Sequence, residues 1–420
     1  MERPMPDVFR KQSPHAFYRA MVESGTRPYY RALSMRGTEA AVEGKRLIMV
    51  GCNDYLGLST DPRVVAAASA ALGRFGASCS GSRALNGTLT LHEELEGRLA
   101  EFLGQEAAVV TTTGFQTNLA IAAFLGTNDA AFGDMSNHAS LVDGIRLGFG
   151  THHRYRHSDM DQLESLLRAA DPGVGKLIVT DGLFSMGGDL CRLPEIVALA
   201  RRYEARVVVD GAHDIGLLGA GGRGVAEHFG LMDGVDLVTG TLSKCFGSSG
   251  GMLAGPRNVI DYLRYTARSL LFSAAMPAAA AAAGLAALDI IESEPDRRQR
   301  VFDLAERLHN GLRALGYDTG ESVTPVIPVH VGDAELCLRA WQELFDAGVF
   351  TNAVAAPAVP RGRALLRVTA QATHTDDQVT QVLDAFALVG RRLGLIPKAA
   401  PDGYEPVLIA RQRRSVEVAR

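Results

Sequence analysis

KLIVTDGLFSMGGDLCRLPEIVALARRYEARVVVD, running from Lys176 to Asp210, decides the fold. Its two ends, KLIVTD and RVVVD, are short apolar runs rich in β-branched residues, and each closes on an aspartate. Uninterrupted runs of that kind read as strands buried on both faces. Between them, LPEIVALARRYEA (Leu193 to Ala205) carries apolar positions at helical spacing. A strand, a helix and a second strand make one crossover unit of a parallel sheet.

The same texture recurs on either side. AAVVTTT (Ala107 to Thr113), AAFGD (Ala130 to Asp134) and DLVTGT (Asp236 to Thr241) are further strand candidates separated by amphipathic stretches. The expected fold is therefore α/β: a large domain whose mostly parallel sheet lies between two layers of helices. Ligands of such sheets bind beyond the carboxyl ends of the strands. After about Glu292 the pattern changes. A charged helical stretch, Pro295 to Leu315, leads to VIPVHV (Val326 to Val331) and ALLRVTA (Ala364 to Ala370), which predicts a smaller α+β C-terminal domain. The expected division is an N-terminal arm at 1–60, the large domain at 61–291, the small domain at 292–397 and a solvated tail at 398–420.

Composition narrows the function. The 420 residues carry 43 basic and 47 acidic side chains, a net charge of -4, which lacks the basic field of a nucleic-acid binder. Cys52, Cys79, Cys191, Cys245 and Cys337 are scattered and odd in number, which argues against a disulfide framework or a zinc site. A reducing, cytoplasmic setting is expected. The first eleven residues lack the apolar core of a signal peptide. Leu271 to Ile291 is mostly apolar, but its alanines, Pro277 and Asp289 suit a close-packed internal helix better than a membrane span.

Lys244 stands out next, in TGTLSKCFGSSGG (Thr239 to Gly251). Thr241 and Ser243 precede it, and Gly247, Gly250 and Gly251 follow it. Hydroxyls and unhindered amides suit a phosphate, and a lysine beside a phosphate site can bond an aldehyde cofactor. Asp210 ends a buried strand and needs a partner. A structural hydrogen bond is the ordinary reading, and a pyridinium nitrogen is the functional one. His213 lies three residues on, with Ala212 between them fitted to lie flat against a ring. His138, in SNHAS, could stack on an aromatic ring. TTTGFQTN (Thr111 to Asn118) turns from strand to helix; an ordinary turn is the plain reading, and an anion site at the amides of Gly114, Phe115 and Gln116 is the functional one.

Together these residues resemble the α-oxoamine synthase family of fold-type I pyridoxal-phosphate enzymes. The resemblance runs from about Thr38 to Leu395, through CNDYLGL (Cys52 to Leu58), GSRALNGTLTLHEELE (Gly81 to Glu96), DGLFSMGGDLCRLPEI (Asp181 to Ile196), LLFSAAMP (Leu270 to Pro277) and LLRVTAQATHT (Leu365 to Thr375). It implies pyridoxal 5'-phosphate as cofactor, and substrates that are an L-amino acid and an acyl thioester, joined with loss of carbon dioxide. Within the family, GSRALNGT and NAVAAPAVPRGRALLR are nearest to members that use serine and a long acyl chain.

The resemblance also implies site roles. Lys244 would bond the cofactor and then serve as the proton-transfer base. Asp210 would bind the ring nitrogen, His138 would stack on the ring, and Ser185 and His213 would contact its hydroxyl. Thr241 and the amides of Gly114 and Phe115 would hold the phosphate. Ser273 would reach the phosphate of a second subunit, making a homodimer with shared active sites. Arg367 would pair with the substrate carboxylate, and Asn53 and Tyr55 would line the substrate side.

The chain departs from the family at DGAHD, where Gly211 replaces a glutamate and Asp214 a small hydroxyl residue; at MGGD, where Gly187 replaces an acid; and at Ala274, which replaces threonine. A carboxylate beside His213 is expected to raise its pKa. Three other readings stand beside this one. GAGGRG (Gly219 to Gly224) matches a dinucleotide fingerprint but does not sit directly between a strand and a helix. The same cofactor could serve an aminotransferase, an aldolase or an amino-acid decarboxylase. A non-catalytic partner subunit is the third, and the presence of Lys244 counts against it.

Overall fold

The computed structural model describes Met21, Glu23 and residues 25–397. The expected tail at 398–420 lies outside the described residues, as does most of the first part of the arm.

Seven strands form the central sheet, in the order 107–111, 251–255, 237–241, 205–210, 175–181, 129–134 and 151–155. Six run parallel, and Gly251–Gly255 runs antiparallel to both of its neighbours. The sequence reading missed two of the seven. Thr151–Tyr155 (THHRY) is an edge strand with a mostly polar, part-exposed face, so it has no apolar run to find. Gly251–Gly255 (GMLAG) is fully buried, but the glycines at its ends read as turn.

The carboxyl ends of 175–181 and 205–210 are in register, with Asp181 opposite Asp210. Two buried carboxylates are therefore set side by side at the edge where ligands of such sheets bind.

The alanine-rich segment is an internal helix, Ala278–Ser293, that begins after Pro277. Ala278 and Ala282 pack with Ala71 of the Pro62–Phe75 helix, where small side chains let the two backbones approach closely. Among the described residues no helix is long and apolar enough to cross a membrane.

A second sheet, 326–332, 364–369 and 352–354, is antiparallel and is backed by the Ala334–Asp346 helix. Trp341 of that helix is buried and donates to the Thr351 carbonyl at 2.8 Å. The N-terminal strands 34–36, 39–42 and 45–49 form a third sheet, which Val349–Phe350 joins in parallel. That pairing carries Asn53 and Tyr55 toward Arg367, more than 300 positions later. GAGGRG is a turn in which Gly219, Gly222 and Gly224 have φ of 85, 80 and 94°. It follows a loop rather than a strand, so the dinucleotide fingerprint lacks its context.

Candidate active site

A cavity of 220 Å3 opens at the carboxyl ends of the central strands. Gly114, Phe115, His138, Asp210, Ala212, His213, Thr241 and Lys244, all singled out in the sequence, line it. They arrive from four strand ends and the turns that follow. Asp210 is buried; its Oδ2 accepts from Asn118 at 2.6 Å and its Oδ1 from the Ala212 amide at 3.0 Å. Asn118 also donates to Ser140 Oγ at 2.8 Å, and that hydroxyl lies 2.7 Å from His138 Nδ1. Since the serine accepts from Asn118, it donates to Nδ1, so Nε2 of His138 bears the proton in this assignment. The sequence offered no sign of this Asp210–Asn118–Ser140–His138 chain, because asparagine and serine at a helix start read as ordinary caps.

Burial lowers the pKa of Lys244, although Asp210 opposes the shift. Its ammonium has no hydrogen-bond or ion-pair partner among the described residues. The His138 pKa is also lowered: lost solvation outweighs the attraction of Asp210, and Lys244 adds to the effect, even though the residue keeps an exposed part. Asp181 is pushed well above the carboxylate range, first by burial and then by Asp210 beside it. Its Oδ2 accepts the His138 amide at 2.7 Å.

Pyridoxal phosphate fits this set of residues. A free amine, a buried carboxylate and an open imidazole face one small space. At the phosphate end, a Cβ on Gly114 would come within 2.7 Å of Thr241 Cβ, so glycine is what lets the helix start meet the threonine. Thr241 Oγ1 is 2.8 Å from Ser243 Oγ.

Arg367 is buried beside this cavity and is held by three hydrogen bonds. Nε donates to the Ser185 carbonyl at 2.6 Å, Nη1 to Asn53 Oδ1 at 2.8 Å and Nη2 to the Tyr55 hydroxyl at 3.3 Å. Asn53 and Tyr55 thus orient the guanidinium. Three of its five N–H groups are used, which leaves two for a carboxylate. Ser185 lines an adjoining, larger cavity of 1190 Å3 together with His138, Val142, Met186, Val359 and Leu365, and with Arg146, Arg154 and Arg363. Arg83, in the GSR run, pairs instead with the buried Glu96 at 2.7 Å. Ser273 is outside the small cavity.

One expectation is corrected. Asp214 does not raise the His213 pKa, which lies well below its usual value through burial and the charges of Lys244 and Arg367. The Asp214 carboxylate turns away, and its Oδ2 accepts the Val225 amide at 3.1 Å. The change at 211 belongs with it. A Cβ on Gly211 would come within 2.7 Å of Asp214 Oδ1 and 2.6 Å of Ile215 Cδ1, so residue 211 has ceded that space to residues 214 and 215.

Comparison with known proteins agrees with this geometry. A family model described as aminotransferase class I and II matches residues 45–386. The serine palmitoyltransferase of Sphingobacterium spiritivorum is 44% identical over 367 residues, covering 87% of this chain and 92% of its own. The 8-amino-7-oxononanoate synthase of Symbiobacterium thermophilum is 43% identical over 372 residues, covering 88% and 95%. Among solved structures, the Sphingomonas wittichii serine palmitoyltransferase has a TM-score of 0.90 at 37% identity, covering 93% of this chain and 100% of that one. A variant serine palmitoyltransferase from S. paucimobilis, with a bound PLP–myriocin aldimine, has the same TM-score of 0.90 at 34% identity and the same coverage of 93% and 100%.

Proposed function

The chain belongs to the aminotransferase class I and II family as a pyridoxal-phosphate-dependent acyltransferase of the α-oxoamine synthase type, and from that premise we propose that it joins an L-amino acid to an acyl thioester, giving an α-amino ketone, carbon dioxide and free thiol. Serine and a long-chain acyl group are the proposed substrates. The observation that carries the reading is Arg367. It is oriented by Ser185, Asn53 and Tyr55 with two donors to spare; Ser185 lines the larger cavity, and Tyr55 bonds His213 of the lysine cavity.

Bound pyridoxal phosphate supplies an electron sink for negative charge at the Cα of the amino acid. The rest is work for this chain. Lys244 is the amine that would hold the cofactor, and its Nζ would take and return the Cα proton. Its lowered pKa keeps more of that nitrogen in the basic form at neutral pH. Asp210 would hold a proton on the ring nitrogen, His138 would cover the ring, and the Nε2 proton of His213, with Ser185, would serve the ring hydroxyl. The Gly114 and Phe115 amides, with Thr241, hold the phosphate. Arg367 would hold the substrate carboxylate and so orient the amino acid for reaction. Val142, Met186, Val359 and Leu365 offer apolar surface for an acyl chain, while Arg146, Arg154 and Arg363 offer charge to a phosphorylated thiol carrier.

The working unit is a homodimer in which Ser273 completes the phosphate site of the second subunit. In support, the backbone bridge between Ser82 and Ala274 joins two segments that expose Leu85 and Phe272, at 84% and 79% of their surface. Large apolar residues left open on one face suit a protein partner.

The test is an assay of the purified protein with each common amino acid and with acyl thioesters of graded length, carried on coenzyme A or on carrier protein. Stoichiometric thiol and carbon dioxide with serine and a long chain are expected. Amino-group transfer, or carbon dioxide without thiol, would replace this reading with an aminotransferase or a simple decarboxylase.

A further inference from the structure

His157 lies between two carboxylates. Its Nδ1 is 3.0 Å from Asp134 Oδ1 and its Nε2 is 2.8 Å from Asp189 Oδ2. An ionised carboxylate only accepts, so both ring nitrogens carry protons and the ring is an imidazolium. Burial opposes the charge, but the bonds to Asp134 and Asp189 outweigh it and push the pKa up to about 10. The ring also meets Phe184 edge-on, with centroids 4.5 Å apart.

The two carboxylates belong to the two arms of the candidate site. Asp134 ends the Asp129–Asp134 strand, accepts the Ser136 amide at 2.7 Å and the Ser158 amide at 2.8 Å, and stands four residues before His138. Asp189 closes a hairpin in which Leu183 bridges to Leu190 and the Phe184 amide donates to the Asp189 carbonyl at 2.9 Å. That hairpin carries Ser185, whose carbonyl receives Arg367 Nε. A Cβ on Gly187 would come within 2.2 Å of Asp189 Oδ1. In this arrangement the Asp189 carboxylate occupies the space beside Gly187.

We propose that His157 is a positioning residue. Its imidazolium ties the Gly182–Leu190 hairpin to the end of the strand that carries His138, and so sets the Ser185 carbonyl that orients Arg367 for the amino acid. Charge-assisted hydrogen bonds of this kind are worth about 1.5–3 kcal/mol, which is roughly tenfold or more in an equilibrium. The inference uses the proposed reaction as one readout and does not depend on it for the other.

The first readout is amide hydrogen exchange of the cofactor-free protein. His157→Gln and Asp189→Asn are each expected to speed exchange across 182–190 by about tenfold. The double variant should be no faster than either single one, because both remove one contact. The second readout is kinetic: in His157→Gln the amino-acid KM rises about tenfold, with kcat within about threefold and the visible absorption of bound cofactor unchanged. His157→Lys, which keeps a cation, recovers most of that loss. Tyr317→Phe, which removes a hydroxyl bond to the Phe386 carbonyl far from the site, is the stability control and should lower Tm without moving KM. Unchanged exchange over 182–190 in His157→Gln would overturn the tether, whether or not the protein turns over any substrate. Faster exchange with an unmoved KM, or an equal KM rise in Tyr317→Phe, would overturn the positioning role and leave the proposed reaction intact.

Discussion

The Tyr55 hydroxyl stands 2.6 Å from Nδ1 of His213, and both groups are buried. Arg367 donates to the same phenol oxygen at 3.3 Å. With the oxygen occupied as an acceptor, the phenol proton points to Nδ1, and His213 presents its Nε2 proton to the cavity. Burial raises the phenol pKa and lowers that of the imidazole, so both stay neutral across the working range. A residue at the start of the chain thereby selects the tautomer of a residue beside the candidate cofactor site.

Tyr55→Phe removes that donor and leaves a buried Nδ1 without a partner. The expected result is a loss of about 1–3 kcal/mol of stability and about a tenfold or greater fall in kcat/KM. Calorimetry and steady-state kinetics would check it. A variant with both values intact would mean that the tautomer has no catalytic consequence.

Lys244→Ala should fold normally, because the side chain has no partner to lose among the described residues. The visible absorption of lysine-bound cofactor should vanish and turnover fall to background. Full turnover in this variant would remove Lys244 from the mechanism.

Arg367→Lys exchanges a fork that meets Ser185, Asn53 and Tyr55 at once for a single ammonium. The amino-acid KM should rise by about tenfold to a hundredfold, with cofactor binding unchanged. Titration of the cofactor absorption with amino acid would measure it directly. An unshifted titration would show that the carboxylate binds elsewhere.

Asp214 is fully buried and its pKa is raised to about 7, first by burial, with Asp210 adding and the Val225 amide opposing. The folded value lies above the ordinary carboxylate value of 3.8, so the folded state holds a proton that the unfolded chain releases. This contribution to stability is complete below 3.8 and is lost as pH rises to about 7. Asp214→Asn cannot ionise. Its Tm relative to the parent should therefore climb between about pH 4 and pH 7, by a few degrees, and level off above that. A parallel pair of Tm curves would show that Asp214 stays charged.

Much of the candidate site was legible in the sequence, and the reason is local. Lys244, Asp210, His213 and His138 each follow a buried strand, and a parallel sheet gathers such positions at one edge. The strand runs around 176–181 and 205–210 could hardly be read otherwise, because their apolar residues do not alternate. Other features gave no such signal. Asp134 ends a strand candidate, while His157 and Asp189 occur in separate segments that look like ordinary turn, and nothing local joins the three. Asp214 looked like a neighbour for His213 until its backbone turned the carboxylate toward Val225.

By itself, then, the sequence determined the α/β class, since periodicity is a property of neighbouring residues, and its family resemblance named a candidate set of groups for pyridoxal phosphate. Tertiary structure decided the sheet order with its one antiparallel strand, the grip of Asn53 and Tyr55 on Arg367, the His213 tautomer and the tether through His157. Each of these depends on hydrogen bonds between residues far apart in the chain, and only the closing of the intervening loops brings those partners within about 3 Å of one another.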